Sequence, residues 1–329
     1  MDDFSIQEGF PTFITLKKNA KPHNWRHLLV NNLSQIRQLL LKNGAFLFRD
    51  FPLSTVEHFT DFISTINLGN FVNYIGGDSP RDKVTHKIYT STEAPPNIYI
   101  PLHQELSYLQ TYPQHIYFFC EVAPKFQGET VIADARKIFQ ALNPDVVTRF
   151  QNKSVTYISH YYRKSKLMEW INYLARSHKS WIDVFETDQK QIVEAFCQSN
   201  EIKWKWLNGD WIEIKHTRPA LLQHPITKET VWFNQAHLYD FNVKLLGLWR
   251  FLAVKLVYFR RLTRLHEVTF ADGSTIPHQD LYHILDVLEE HTVPHPWAKG
   301  DVMILDNVLT MHGRSTFKGK RRILTALTT

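Results

Sequence analysis

Asn97-Ile98-Tyr99-Ile100-Pro101-Leu102-His103-Gln104-Glu105-Leu106-Ser107-Tyr108 contains an alternating stretch and reads as a strand. Side chains two residues apart on a strand project to the same side, so His103 and Glu105 can meet one metal. The triplet by itself is weak, because 17 His and 32 Asp plus Glu in 329 residues give about two His-x-Asp/Glu triplets by chance. Two are present. The other, His278-Gln279-Asp280, follows Ile276-Pro277 and opens an amphipathic stretch to about His291, where it reads as a helix N-terminus. Helical geometry splays residues at that spacing apart, so the strand triplet is the candidate site.

A third donor stands some two hundred residues on, in Asp306-Asn307-Val308-Leu309-Thr310-Met311-His312-Gly313-Arg314. Two imidazoles and one carboxylate on one face of a metal leave open positions, which is the ligand set of a non-haem Fe(II) oxygenase. The same donors also describe a catalytic zinc, so a His2Glu zinc hydrolase is the competing reading. Against it, no helical His-Glu-x-x-His is present.

Composition bounds the answer. A hydrophobic content of 43% with 13% aromatic residues suffices for a packed core in a chain of 329 residues. No signal-like segment opens the chain and no window approaches the ~18 uninterrupted apolar residues of a membrane span, so a cytoplasmic protein is expected. Cys120 and Cys197 form no disulfide framework and are read as reduced and structural. The net charge of +6 gathers at Tyr162–Lys166, Arg260–Arg264 and Lys318–Arg322. Most such runs are solvated faces; the functional reading is attraction of a dicarboxylate, an acidic amino acid or an acidic carrier protein. No nucleic-acid motif accompanies the charge.

Along the chain, helical periodicity from Asn24 to Asn43 stops at Gly44, before the strand Ala45–Asp50. Ser54 or Thr55 caps a second helix. Strands are expected at His115–Val122, Thr130–Asp134, Val155–Tyr161, Trp211–Thr217, Thr230–Asn234, Asp301–Leu305 and Arg322–Leu327. Helical stretches fall at about 178–199, 238–262 and 276–290. The expected architecture is mainly β with flanking helices: a double-stranded β-helix, or cupin-like jelly roll. One domain would span 1–329, with an N-terminal helical cap at about 22–67 and helical insertions at about 178–199 and 238–290.

From about Gly44 onward an ordered set of motifs resembles the taurine dioxygenase-like superfamily of Fe(II)- and 2-oxoglutarate-dependent oxygenases, nearest its syringomycin-biosynthesis hydroxylase branch. The set comprises Ser79-Pro80-Arg81, Leu102–Tyr108, Gly128-Glu129-Thr130 to Asp134, His224-Pro225, Trp232–Gln235, Ala271-Asp272-Gly273, and Pro296–Asp301 through Arg322. The resemblance implies that His103, Glu105 and His312 bind iron and that Thr130 touches 2-oxoglutarate. It also implies that Arg321, nine residues after His312, pairs with the distal carboxylate of 2-oxoglutarate. Arg322 is its competitor, since neighbours on a strand face opposite sides. Gln104, Gln127 and Thr316 depart from the family's usual Asn, Gly and Pro without removing a metal ligand.

The implied reaction consumes 2-oxoglutarate and O2, releases succinate and CO2, and hydroxylates an unactivated C–H bond. Glu105 argues against halogenation, because halogenating relatives have Gly or Ala there; desaturation and epoxidation stay open. The expected substrate is an amino acid or derivative, free or bound to an acyl or peptidyl carrier protein, in secondary metabolism. Tyr108, Arg163, Asn234 and Arg314 are the candidate substrate contacts, with Gln235 beside them. For Tyr108 the alternative is an aromatic in the barrel core, for Arg163 an exposed cation, for Asn234 a helix cap, and for Arg314 a loop anchor. His160, His224 and His237 read as structural.

Overall fold

Successive residues of the central strands divide between two hydrophobic cores. In Ala45–Arg49, Ala45 and Leu47 enter one core while Phe46 and Phe48 enter the other; in Val302–Asp306 the same division separates Met303 and Leu305 from Val302 and Ile304. Strands buried on both faces need no polar alternation, which is why these segments are unbroken apolar runs.

The computed structural model describes residues 4–17, 25–77, 81–164, 179–249, 251–252 and 266–329. Among them the largest sheet has seven strands, in the order Phe4–Gln7, Thr12–Leu16, Ala45–Arg49, Val302–Asp306, His115–Val122, Arg322–Thr328 and Tyr89–Thr90. Its outer face carries the helices Trp25–Asn31, Leu33–Asn43 and Val56–Ile66, which bury Leu29, Leu40, Phe59 and Phe62. Its inner face shares a core with a four-stranded sheet ordered Val293–His295, Thr130–Asp134, Thr310–Arg314, Ile100–His103. These two sheets form the jelly roll. A third sheet, ordered Lys203–Leu207, Trp211–Arg218, Val155–Tyr161, His266–Phe270, extends the same core with the helix His278–Glu290.

Two glycines matter for the site. Gly44 ends its helix at φ 74°, and its carbonyl accepts from Asp306 N (2.9 Å) and Thr310 Oγ1 (2.8 Å), tying that helix end to the His312 strand. Gly313 lies so close to the neighbouring strand that an added Cβ would meet the Ile100 carbonyl. That approach accompanies direct pairing of His312 with His103 and a register shift between His312 and Arg314.

Several expected boundaries shift. The periodic stretch Asn24–Asn43 is two helices broken at Asn32, and the stretch 178–199 breaks at Glu186, a helix-ending residue in left-handed conformation. The expected strand at Ala45–Asp50 is present as Ala45–Arg49 in the middle of the largest sheet, whereas His266–Phe270, within the expected insertion at 238–290, is a strand. The expected helix 238–262 appears as the short helices Ala236–Tyr239 and Val243–Leu246, with residues 248–249 and 251–252 also helical, while residues 250 and 253–265, including the basic run Arg260–Arg264, lie outside the described residues. The terminal strands Phe4–Gln7 and Thr12–Leu16 escaped the sequence reading. Thr55 does cap its helix, accepting from His58 N at 3.2 Å.

Candidate functional site

His103 ends the strand Ile100–His103, and His312 faces it from the middle of Thr310–Arg314. Their rings lie 4.4 Å apart between centroids. Glu105 is not on the strand. It sits in the turn that follows, where Leu106 adopts φ 54°, so the expected strand geometry is corrected here. The turn is held by Asn307, whose Oδ1 accepts from Glu105 N (2.8 Å) and whose Nδ2 donates to the carbonyls of Glu105 (3.0 Å) and Pro113 (2.8 Å). Glu105 Oε2 thereby comes within 3.5 Å of His312 Nε2.

The three donor atoms all lie within 4.8 Å of one another, and all three residues are buried. His103 Nδ1 contacts the Pro101 carbonyl at 2.8 Å, which leaves Nε2 for a ligand. Burial, aided by the neighbouring His312, pushes the His103 pKa down to about 3, so the imidazole is neutral as metal ligation requires. Burial opposes ionisation of Glu105, but the Arg81 charge and the hydrogen bond from His312 hold its carboxyl well below the usual carboxylate range. Two imidazoles, that of His103 held neutral, and a carboxylate that is ionised across the ordinary pH range fit a divalent cation.

A small cavity opens beside the pair of histidines, lined also by Thr130, Arg314 and Arg321. Thr130 Oγ1 accepts from Trp297 Nε1 at 3.1 Å. Arg321 uses Nε on the Gly128 carbonyl (2.9 Å) and Nη1 on Ser91 Oγ (3.2 Å). Five N–H groups on a guanidinium leave donors over for a ligand. Burial, and secondarily the like charge of Arg314, lower the Arg321 pKa to about 10, a strain that a bound carboxylate would relieve. Arg322 points away, half exposed, and pairs with Glu121 at 2.9 Å.

The nominated substrate contacts fare differently. Arg314 reaches the cavity wall, yet both its Nη groups are spent on the carbonyls of Thr92, Ala94, Pro95 and Ile98, so it anchors that loop. Arg163 is exposed and pairs with Asp210 at 2.7 Å, outside the cavity. Asn234 is buried, donating to the Ala220 carbonyl and accepting from Ala236 N, which makes it a local clamp. Tyr108 packs among Tyr157, His216 and Tyr239 and donates to the Gly76 carbonyl. Pocket-facing roles for Arg163, Asn234 and Tyr108 are therefore corrected: each is consumed by packing or pairing elsewhere. Gln235 Nε2 reaches Ser107 Oγ at 3.0 Å, and His160, His224 and His237 face Glu213, Asp306 and the Leu102 carbonyl. His278 sits on the surface beside Asp240.

Sequence reasoning missed two residues, Asn307 and Arg81. Arg81 donates Nη2 to Glu105 Oε2 at 2.6 Å and is almost wholly buried. Both lie inside recognisable motifs, Ser79-Pro80-Arg81 and Asp306-Asn307, but nothing local marks them as neighbours of Glu105. Asn307→Ala is expected to weaken divalent-metal affinity by about 10- to 100-fold, the usual effect of removing an outer-shell support. Metal titration checks this; unchanged affinity would exclude Asn307 as the clamp that positions Glu105.

Residues 10–328 match the family model described as Taurine catabolism dioxygenase TauD, TfdA family. The chain is 30% identical to the Dapdiamide synthesis protein DdaC of Enterobacter agglomerans, covering 89% of this chain and 84% of that protein. A clavaminate synthase-like protein of Arabidopsis thaliana is 28% identical, covering 88% and 82%. Among solved structures, AAD-2 in complex with Mn(II) and N-oxalylglycine superposes with a TM-score of 0.54 at 14% identity, covering 99% of this chain and 96% of that one, a likeness of fold.

Proposed function

We propose a function from one premise: the chain belongs to the TauD, TfdA family of dioxygenases. It is an oxygenase that uses Fe(II), 2-oxoglutarate and O2. The finer reading is hydroxylation of an unactivated C–H bond in an amino acid or amino-acid derivative, within secondary metabolism and in the cytoplasm. Similarity to a protein named for dapdiamide synthesis supports the metabolic setting. Among the described residues no helix is long and apolar enough to cross a membrane.

One observation carries the assignment of residues. His103 and His312 line the same small cavity as Thr130 and Arg321, so a metal held by His103, Glu105 and His312 would adjoin a guanidinium able to take a dicarboxylate's far end. When bound, the iron supplies the oxidative chemistry together with 2-oxoglutarate and O2. The chain's own residues do the rest. Asn307 holds Glu105 in place, Arg321 and Thr130 orient the cosubstrate, and Phe118 packs at 5.3 Å from the His312 ring and keeps that side apolar.

Anaerobic Fe(II) plus 2-oxoglutarate should produce a weak visible charge-transfer band that His312→Ala removes. Succinate release should then rise with particular amino acids, free or carrier-loaded. A protein with no such band, in which zinc restores hydrolytic turnover, would be the zinc hydrolase instead. Activity on free amino acids alone would remove the carrier protein as a partner.

A further inference from the structure

Arg81 stands in the wall between two cavities. It lines the inner one with His103 and His312, and it lines an outer one of about 530 Å³ bounded also by Tyr74, Lys83, Lys179, Asp183 and Glu186. Its side chain is 3% exposed and spends Nη2 on Glu105. Nε and Nη1 are buried and have no hydrogen-bond partner among the described residues. Unsatisfied buried donors on a charged group are costly, and a bound ligand is one means of completing them.

We propose that Arg81 is the substrate anchor: it receives a free carboxylate of a substrate arriving from the outer cavity while Nη2 keeps Glu105. This rests on the oxygenase reading above and narrows its substrate. A guanidinium with five N–H groups can bridge two carboxylates at once, which a lysine ammonium does less well. The Tyr74 ring, 4.3 Å from the guanidinium carbon, covers one face and directs an incoming anion to the edge. The cosubstrate does not need this group, because Arg321 and Thr130 lie in the same inner cavity for its carboxylate. A substrate attached through its only carboxyl as a thioester carries no such charge. The anchor therefore selects a free acid, or a derivative that keeps one carboxylate unesterified.

The test uses the full-length protein loaded with Mn(II) and N-oxalylglycine, titrated calorimetrically with the L-amino acids and with their carboxamides, which match in shape but lack the charge. At least one acid should bind, with its carboxamide weaker by about 30-fold or more, as expected for a lost charged hydrogen bond. Arg81→Gln should erase that ratio to within about threefold, and Arg81→Lys should keep part of it. Each variant is titrated at Mn(II) and N-oxalylglycine concentrations that saturate it, because Arg81 also contacts Glu105, and circular dichroism reports its folding. If Arg81→Gln does not fold, the acid-to-amide ratio of Arg81→Lys decides, and a ratio equal to that of the native protein overturns the anchor. The anchor is likewise overturned if Arg81→Gln keeps the discrimination, if acids and carboxamides bind alike, or if no acid binds the loaded protein. Failure of N-oxalylglycine to bind the native protein with Mn(II) is a different result: it overturns the oxygenase reading and the anchor together.

Discussion

Glu105→Gln is expected to lower 2-oxoglutarate-dependent succinate release by more than about 100-fold, beyond the range that outer-shell substitutions produce. The glutamine keeps the volume and an acceptor for Arg81 but gives up the charge that a divalent cation requires. Glu105→Ala should be worse for a second reason. It strands the buried Arg81 guanidinium without its carboxylate, and breaking a buried pair in this way costs about 3–5 kcal/mol. The two variants thus separate chemistry from folding. Glu105→Gln, which keeps a hydrogen-bond acceptor for Arg81 but not the countercharge, should lose less metal-free thermal stability than Glu105→Ala while binding Fe(II) poorly. Native Fe(II) affinity and turnover in a folded Glu105→Gln protein would remove Glu105 from the metal site.

Arg321→Ala should raise the KM for 2-oxoglutarate by about 30-fold or more, since truncating one partner of a buried charge pair costs about 2–5 kcal/mol. Turnover at saturating 2-oxoglutarate should fall much less, because the proposed contact would bind the cosubstrate without touching the reacting atoms. Arg321→Lys should lie between, its ammonium lacking the planar fork. Arg322→Ala is the matched control. Its half-exposed pair with Glu121 predicts a change within about twofold, as surface pairs contribute about 0–1 kcal/mol. A larger KM effect from Arg322 than from Arg321 would reverse the assignment of the cosubstrate arginine.

Much of the fold was legible locally. Apolar runs such as Ala45–Phe48 and Val302–Leu305 announced buried strands, and Gly44 and Thr55 announced helix ends through their backbone and hydroxyl chemistry. Periodicity alone hid the breaks at Asn32 and at 186–189, because a pattern of apolar spacing continues across one to four residues that leave helical dihedrals. The nominated contacts show the same limit. Arg163, Asn234 and Tyr108 are chemically suitable for a pocket. Their polar atoms are instead taken up by Asp210, the Ala220 carbonyl and the Gly76 carbonyl, which lie 47, 14 and 32 residues away along the chain. No local pattern announces partners at such separations.

By itself the sequence determined the metal-binding character of this protein. His103, Glu105 and His312 carry the donor chemistry that a divalent cation needs, and the strand around His103 separates that triplet from the helical one at His278. Tertiary structure decided everything that depends on which side chains share a space. It set Glu105 in a turn clasped by Asn307 across some two hundred residues, turned Arg321 inward and Arg322 outward, and brought Arg81 against the carboxylate with two donors left over. The reason is physical: a residue's donor set is intrinsic to it, whereas burial, pairing and the low dielectric that gives a charge its leverage arise only when distant strands close around it.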